Sequence, residues 1–250
     1  MELIILGIVV GILSGFFGIG GGTILVPSLL FFGYSTKVAI GISVVQMVFS
    51  SIFGSYINQK KGTLNISLVL FIGLGGFVGA LLSGYITSLL SSKALEMIFL
   101  SFAFFALARL FFHIPQPPNQ KENINKVLLF IIGIPIGVLS MSIGVGGSIL
   151  VVPLLVGFFH VPLKEATSAG LFFVIFSSNS GFISHFLHGT IDIFSGVIIG
   201  IASLLGVYIG IHLKGVVKTE LQKKLLMLFY VVIISYLSLR ILGYVDFKFN

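Results

Sequence analysis

Apolar residues dominate positions 3–33, and the one interruption is Gly18-Ile19-Gly20-Gly21-Gly22-Thr23. Residues 3–17 predict a first helix, with Gly7, Gly11, Ser14 and Gly15 spaced for close helix packing. Glycine disfavours helix interiors, so three in succession predict a break, with the helix restarting near Thr23. A restart leaves backbone N–H groups without intrahelical acceptors, and in lipid these need protein, cavity water or a ligand. A short apolar piece over 24–32 follows. Polar turns then set off predicted helices over 38–57, 66–90 and 94–112. The stretch 113–125, with Pro115, Pro117 and Pro118 among charged residues, predicts a linker.

The pattern then repeats. Gly144-Val145-Gly146-Gly147-Ser148-Ile149-Leu150-Val151-Val152-Pro153 restates the first break, with Pro27 and Pro153 lying 126 residues apart. One inserted residue later the offset is 127: Lys37 pairs with Lys164, Ser50-Ser51 with Ser177-Ser178, and Gly62-Thr63 with Gly189-Thr190. Agreement of motif, loop and offset predicts an internal duplication. It divides the chain into an N-terminal transmembrane repeat over 1–112, the linker at 113–125 and a C-terminal transmembrane repeat over 126–250. Two broken segments in matching places point to a transporter's binding site.

Each broken segment reads two ways. A single crossing gives parallel repeats; a re-entrant hairpin gives inverted ones. The hairpin puts Lys60, Lys61, Lys121, Lys126, Lys164, Lys214, Lys218, Lys223 and Lys224 on one side and Lys37, Lys93, Arg240 and Lys248 on the other, a usable positive-inside bias. The piece over 24–32 is also short for a span at about 1.5 Å per residue. The expected fold is therefore all-α and polytopic. It consists of two inverted repeats, each a glycine-broken helical hairpin plus three long helices, with about eight hydrophobic spans by hydropathy.

Composition agrees. The chain is 57% hydrophobic and 8% charged, against about 25% charged in soluble domains, and its mean hydropathy is +1.19. The net charge of +7 is scattered through short loops, which argues against a nucleic-acid face. With no cysteine, thiolate chemistry is absent. Neither a metal-ligand cluster nor a Gly-Lys-Ser or Gly-Lys-Thr nucleotide motif occurs, so no enzyme, cofactor or metal is expected.

The candidate binding residues are Gly20, Gly21, Gly22 and Thr23 at the first restart and Gly146, Gly147 and Ser148 at the second. Free N–H groups backed by the positive end of a helix dipole favour an anion without any charged side chain. Gln46, Ser50, Ser51, Ser177, Ser178 and Asn179 lie inside apolar helices and offer further donors. The competing reading is that the glycines only permit close packing and the serines bond their own helices. Glu96, Glu165 and Asp192 fall at predicted helix ends where solvation is easy. His185 reads as a surface or interfacial residue and Arg109 as a headgroup anchor. Lys37 and Lys164 read as entrance charges or helix caps.

The paired Gly-x-Gly-Gly…Pro segments, Ala166-Thr167-Ser168 after the second, and the loop Lys60-Lys61-Gly62-Thr63 together resemble the sulfite exporter TauE/SafE family over about residues 6–242. Ser148 departs from the family's third glycine, and Ala39-Ile40-Gly41-Ile42-Ser43 lacks its threonine. The resemblance implies a secondary transporter of sulfite, sulfoacetate or other organosulfonates in a prokaryotic plasma membrane. The expected partners are a small anionic substrate, membrane lipid and a coupling ion (proton or sodium), and the glycine-rich faces with Gly73, Gly76 and Gly84 suit a homodimer and internal packing equally well. Two other readings stay open: a channel-like anion pathway, and a non-transporting scaffold or accessory subunit.

Overall fold

The computed structural model of the chain describes residues 1–111 and 125–244, the side chains of residues 67, 68 and 109 apart. The expected linker, Asn125 excepted, and the anchoring role of Arg109 lie outside the described residues. Those residues form eleven helices: α1 Glu2–Phe17, α2 Gly22–Phe31, α3 Thr36–Lys60, α4 Ile66–Ala80, α5 Ser83–Leu89, α6 Ser92–Phe111, α7 Lys126–Ser142, α8 Ser148–Gly157, α9 Leu163–Leu187, α10 Ile193–Val216 and α11 Thr219–Ile241. The bounds repeat as the sequence does. α9 begins and ends 127 residues after α3, and α10 begins and ends 127 residues after α4 begins and α5 ends.

Four helices, α3, α9, α10 and α11, are long and apolar enough to cross a membrane, and α4 with α5 makes a fifth if taken as one bent span. α1, α2, α7 and α8 are apolar but shorter. By length and composition the described residues thus give four or five candidate spans where about eight are expected, with two pairs of shorter apolar helices flanking the breaks. Large apolar side chains such as Phe194, Leu205, Leu228 and Val232 face outward, as a lipid-facing surface requires.

The single helix expected over 66–90 is corrected to a pair bent by 43°. α9 supplies the reason. Its Ser180 and Ser184 hydroxyls donate to the carbonyls of Phe77 (2.5 Å) and Leu81 (2.6 Å), and Ser184 Oγ accepts from the Gly84 N–H (2.9 Å). These side chains meet the backbone groups that a bend frees, which is what a bent helix needs away from water. At the matching positions α3 carries Phe53 and Ile57, which offer no hydrogen bond, and α10 runs straight on.

Contacts fix the running directions. Gly7, Gly11 and Gly15 of α1 face Ile199, Ser203 and Val207 of α10 in turn. Val45, Phe49 and Gly54 of α3 face Gly196, Gly200 and Val207. α1, α3 and α10 therefore run the same way, and the chain returns between α1 and α3 through α2. In like manner Gly133 and Gly137 of α7 face Ile72 and Gly76 of α4, while Gly73 and Phe77 of α4 meet Phe176 and Ser180 of α9. α3 and α9 run oppositely: Gly41 meets Thr190 beyond the end of α9, and Gly54 meets Leu171 near its start.

These pairs are held by backbone proximity, because a Cβ on Gly11 would collide with the Ser203 carbonyl. Gly11→Leu is expected to lower the unfolding temperature in detergent by several degrees, reflecting an overpacking cost of about 1–3 kcal/mol. Gly215→Leu, where a Cβ meets nothing within 4 Å, should leave it nearly unchanged.

Candidate functional site

The first break runs from Gly18 to Gly21 and the second from Ile143 to Gly147. Gly18 and Gly20 in the first, and Gly144, Gly146 and Gly147 in the second, hold positive φ, the backbone that glycine adopts most readily. Helical bonding resumes with Ile24 and Leu25 N–H on Gly21 O, and with Leu150 and Val151 N–H on Gly147 O. The N–H groups of Gly22, Thr23, Ser148 and Ile149 precede that bonding and have no intrahelical acceptor.

The two breaks touch. A Cβ on Gly22 would collide with the Gly144 carbonyl oxygen, and one on Gly20 would lie 3.3 Å from Ser148 Oγ. Hydroxyls of the neighbouring helices occupy the carbonyls of the second break. Ser43 of α3 donates to Gly144 O (2.7 Å) and Ser177 of α9 donates to Gly146 O (2.8 Å). With those two carbonyls taken up, the two helix starts bring their positive dipole ends to the junction, alongside the Val145 carbonyl.

Gln46 closes the first break. Its Nε2 donates to Ser203 Oγ of α10 (3.1 Å), and Ser203 in turn donates to Gly200 O (2.7 Å). That chain fixes the amide with Oε1 turned to Gly21, where it has no hydrogen-bond partner among the described residues. Ser148 Oγ is likewise buried and unpaired. Gln46, Thr23, Ser148 and Ser177 are fully buried, so the junction is closed to solvent on every side in this conformation.

The other candidates divide. Gly147 packs on Phe173 and Ser140 at the edge of the junction, and Thr23 bonds back to Ile19 O (3.2 Å). Ser50 and Ser51 bond their own helix at 3.5 and 3.4 Å. Ser178 is buried, and its hydroxyl has no hydrogen-bond partner among the described residues. Asn179 is only half-buried and donates to Ile175 O (2.8 Å) of its own helix. Ser43 and Ser203 are junction residues that the sequence reading missed. Ser43 lies one helical turn before Gln46 on α3, and that spacing was the signal available.

Three further expectations are corrected. His185 is fully buried, with Nδ1 2.8 Å from Thr190 Oγ1 and Nε2 3.1 Å from Met141 O, so it is no surface residue. Glu96 is buried, accepts from Thr36 Oγ1 (2.7 Å) and pairs with Arg240 (3.3 Å). Arg240 also donates to Leu30 O near the end of α2 (3.1 Å). Lys214, placed among the loop lysines, is buried in the last turn of α10. Lys37 caps a helix end by donating to Ser88 O (2.8 Å). Among the described residues no group of three or more His, Cys, Asp or Glu is placed to hold a metal ion.

The chain is 26% identical to the probable membrane transporter protein YunE of Bacillus subtilis over 89% of each chain. It is 28% identical to the probable membrane transporter protein YdhB of the same organism over 84% of this chain and 88% of the relative. It is 29% identical to the probable membrane transporter protein MJ0441 of Methanocaldococcus jannaschii over 75% and 73%. No solved structure matches the chain. The family described as sulfite exporter TauE/SafE matches residues 3–237, nearly the whole helical array with both breaks, and the chain belongs to that family.

Proposed function

We propose that this protein is a secondary transporter of small sulfur-containing anions, such as sulfite, sulfoacetate or other organosulfonates, across a prokaryotic plasma membrane. The observation that carries the reading is the junction of two helix starts whose neighbouring carbonyls are already occupied by Ser43 and Ser177. Such a site attracts an anion through N–H groups and dipoles, with no fixed cation at the junction to hold it there. The unpaired Gln46 Oε1 adds an acceptor, so an anion carrying one proton, such as hydrogensulfite, uses both kinds of contact.

Alternating access belongs to the same reading. The two halves form inverted repeats, each a broken hairpin plus three long helices. Supporting this, α1 and α3 run together, α7 and α9 run together, and α3 opposes α9. α1 packs on α10 and α7 on α4, so each half lends its hairpin's first helix to the other. The closed junction is the occluded state, and rocking of the halves opens it to either side, driven by a proton or sodium gradient or by the membrane potential.

Proteoliposomes containing the protein should take up labelled sulfite or sulfoacetate with saturating kinetics. Flux that rises linearly without saturation would indicate a channel, and no flux of any small anion would remove the transporter reading. Gln46→Met keeps the volume and deletes an unpaired buried oxygen. It should leave the unfolding temperature within a few degrees of wild type yet reduce uptake at least about tenfold, which corresponds to about 1.4 kcal/mol. Wild-type uptake in that variant would remove Gln46 from the site.

A further inference from the structure

Lys214 is the only lysine buried among the described residues, at 3% exposure. Its Nζ donates to three neutral oxygens: Ser168 Oγ (2.8 Å), Asn58 Oδ1 (3.1 Å) and Thr167 Oγ1 (3.4 Å). Ser168 Oγ also lies 3.0 Å from Thr63 Oγ1 and 3.0 Å from Lys164 O. The sole ion pair among the described residues joins Arg240 to Glu96 and is not part of this cluster. Lys61 and Lys164, from the neighbouring turns, add like charge. Asn58 is 1% exposed, and its Nδ2 finds no acceptor among the described residues. A buried cation ordinarily has an anion beside it, and a buried amide N–H an acceptor; among the described residues both are missing at the same place.

The duplication shows that the scaffold does not require this charge. At the offset of 127 residues Thr87 stands for Lys214, His185 for Asn58 and Thr190 for Thr63. There the helix ends close with neutral groups. Thr87 donates to Ser142 O (2.8 Å), and His185 bridges Thr190 Oγ1 and Met141 O. The ammonium and the spare amide donor are additions on one side only. They also adjoin the transport machinery, because Thr167 packs against Gly18 of the first break so closely that a Cβ there would collide with its carbonyl.

We propose that Lys214, Asn58, Thr167 and Ser168 form a second anion site beside the first break, taking a small oxyanion of the sulfate or sulfonate class. The anion neutralises Lys214 and accepts from Asn58 Nδ2, while the Thr167 and Ser168 hydroxyls turn to donate to it. The site rests on the anion-transport reading for the class of its ligand, and adds that one mouth of the duplicated pathway concentrates the anion while the other does not.

Calorimetric titration of inorganic sulfate into the purified full-length protein tests this. Wild type should bind saturably. Lys214→Met should weaken binding at least about tenfold, with an unfolding temperature in the absence of sulfate no lower than wild type, and Lys214→Arg should restore most of the affinity. Asn58→Asp is nearly isosteric and installs the missing carboxylate. It should raise the unfolding temperature and abolish sulfate binding, so it decides the matter if Lys214→Met fails to fold. Sulfate binding unchanged in Lys214→Met or in Asn58→Asp, or absent in wild type, overturns the proposal. Lys214-dependent binding without any uptake in proteoliposomes would remove the transporter reading and keep this site. Uptake together with Lys214-independent binding would do the reverse.

Discussion

A chain in lipid has to find a partner for every backbone group, and the two glycine breaks are where this chain leaves the helical solution to that problem. The partners are divided by sign. Hydroxyls of Ser43 and Ser177 take the Gly144 and Gly146 carbonyls of the second break, while the N–H groups of both restarts are left for something else. The rest of the fold follows from keeping those breaks dry and in contact. α3 and α9 carry the capping serines between them, and α10 holds Gln46 in register through Ser203. The glycine-lined pairs α1–α10 and α4–α7 bring the broken hairpins close enough for Gly20 and Gly22 to touch the opposite break.

The same constraint explains how the duplicated halves have diverged. A bend between α4 and α5 is tolerated because Ser180 and Ser184 satisfy the freed backbone, whereas the equivalent α10 has only Phe53 and Ile57 opposite and stays continuous. At the helix ends, Thr87 and His185 close one side with neutral hydrogen bonds, and Lys214 leaves the other charged. The two halves thus differ where polar side chains meet backbone or one another.

Features set by local chemistry were legible in the sequence. The breaks, the restarts at Gly22 and Ser148, and the repeated helix bounds all follow from glycine runs and hydropathy acting over a few residues. What stayed hidden depends on partners far apart in the chain. Glu96 looked like a solvated helix end because nothing near it in sequence announces Arg240, 144 residues away. Ser43 needed Gly144, and Lys214 needed Asn58 and Ser168, before either could be told from the other serines and lysines. His185 was misplaced for the same reason, its second partner being the carbonyl of Met141 on another helix.

The central claim is that the two halves run in opposite senses through the membrane, with their breaks meeting between them. The chain has no cysteine, so single-cysteine variants need no prior removal of native thiols. Lys61 and His188 are exposed, equivalent by the repeat, and placed just beyond the ends of α3 and α9. The decisive measurement is labelling of Lys61→Cys and His188→Cys in intact cells and in inverted vesicles with a membrane-impermeant maleimide. Labelling of the two from opposite sides is the predicted result. Labelling of both from the same side would contradict the inverted arrangement and, with it, the account of the site.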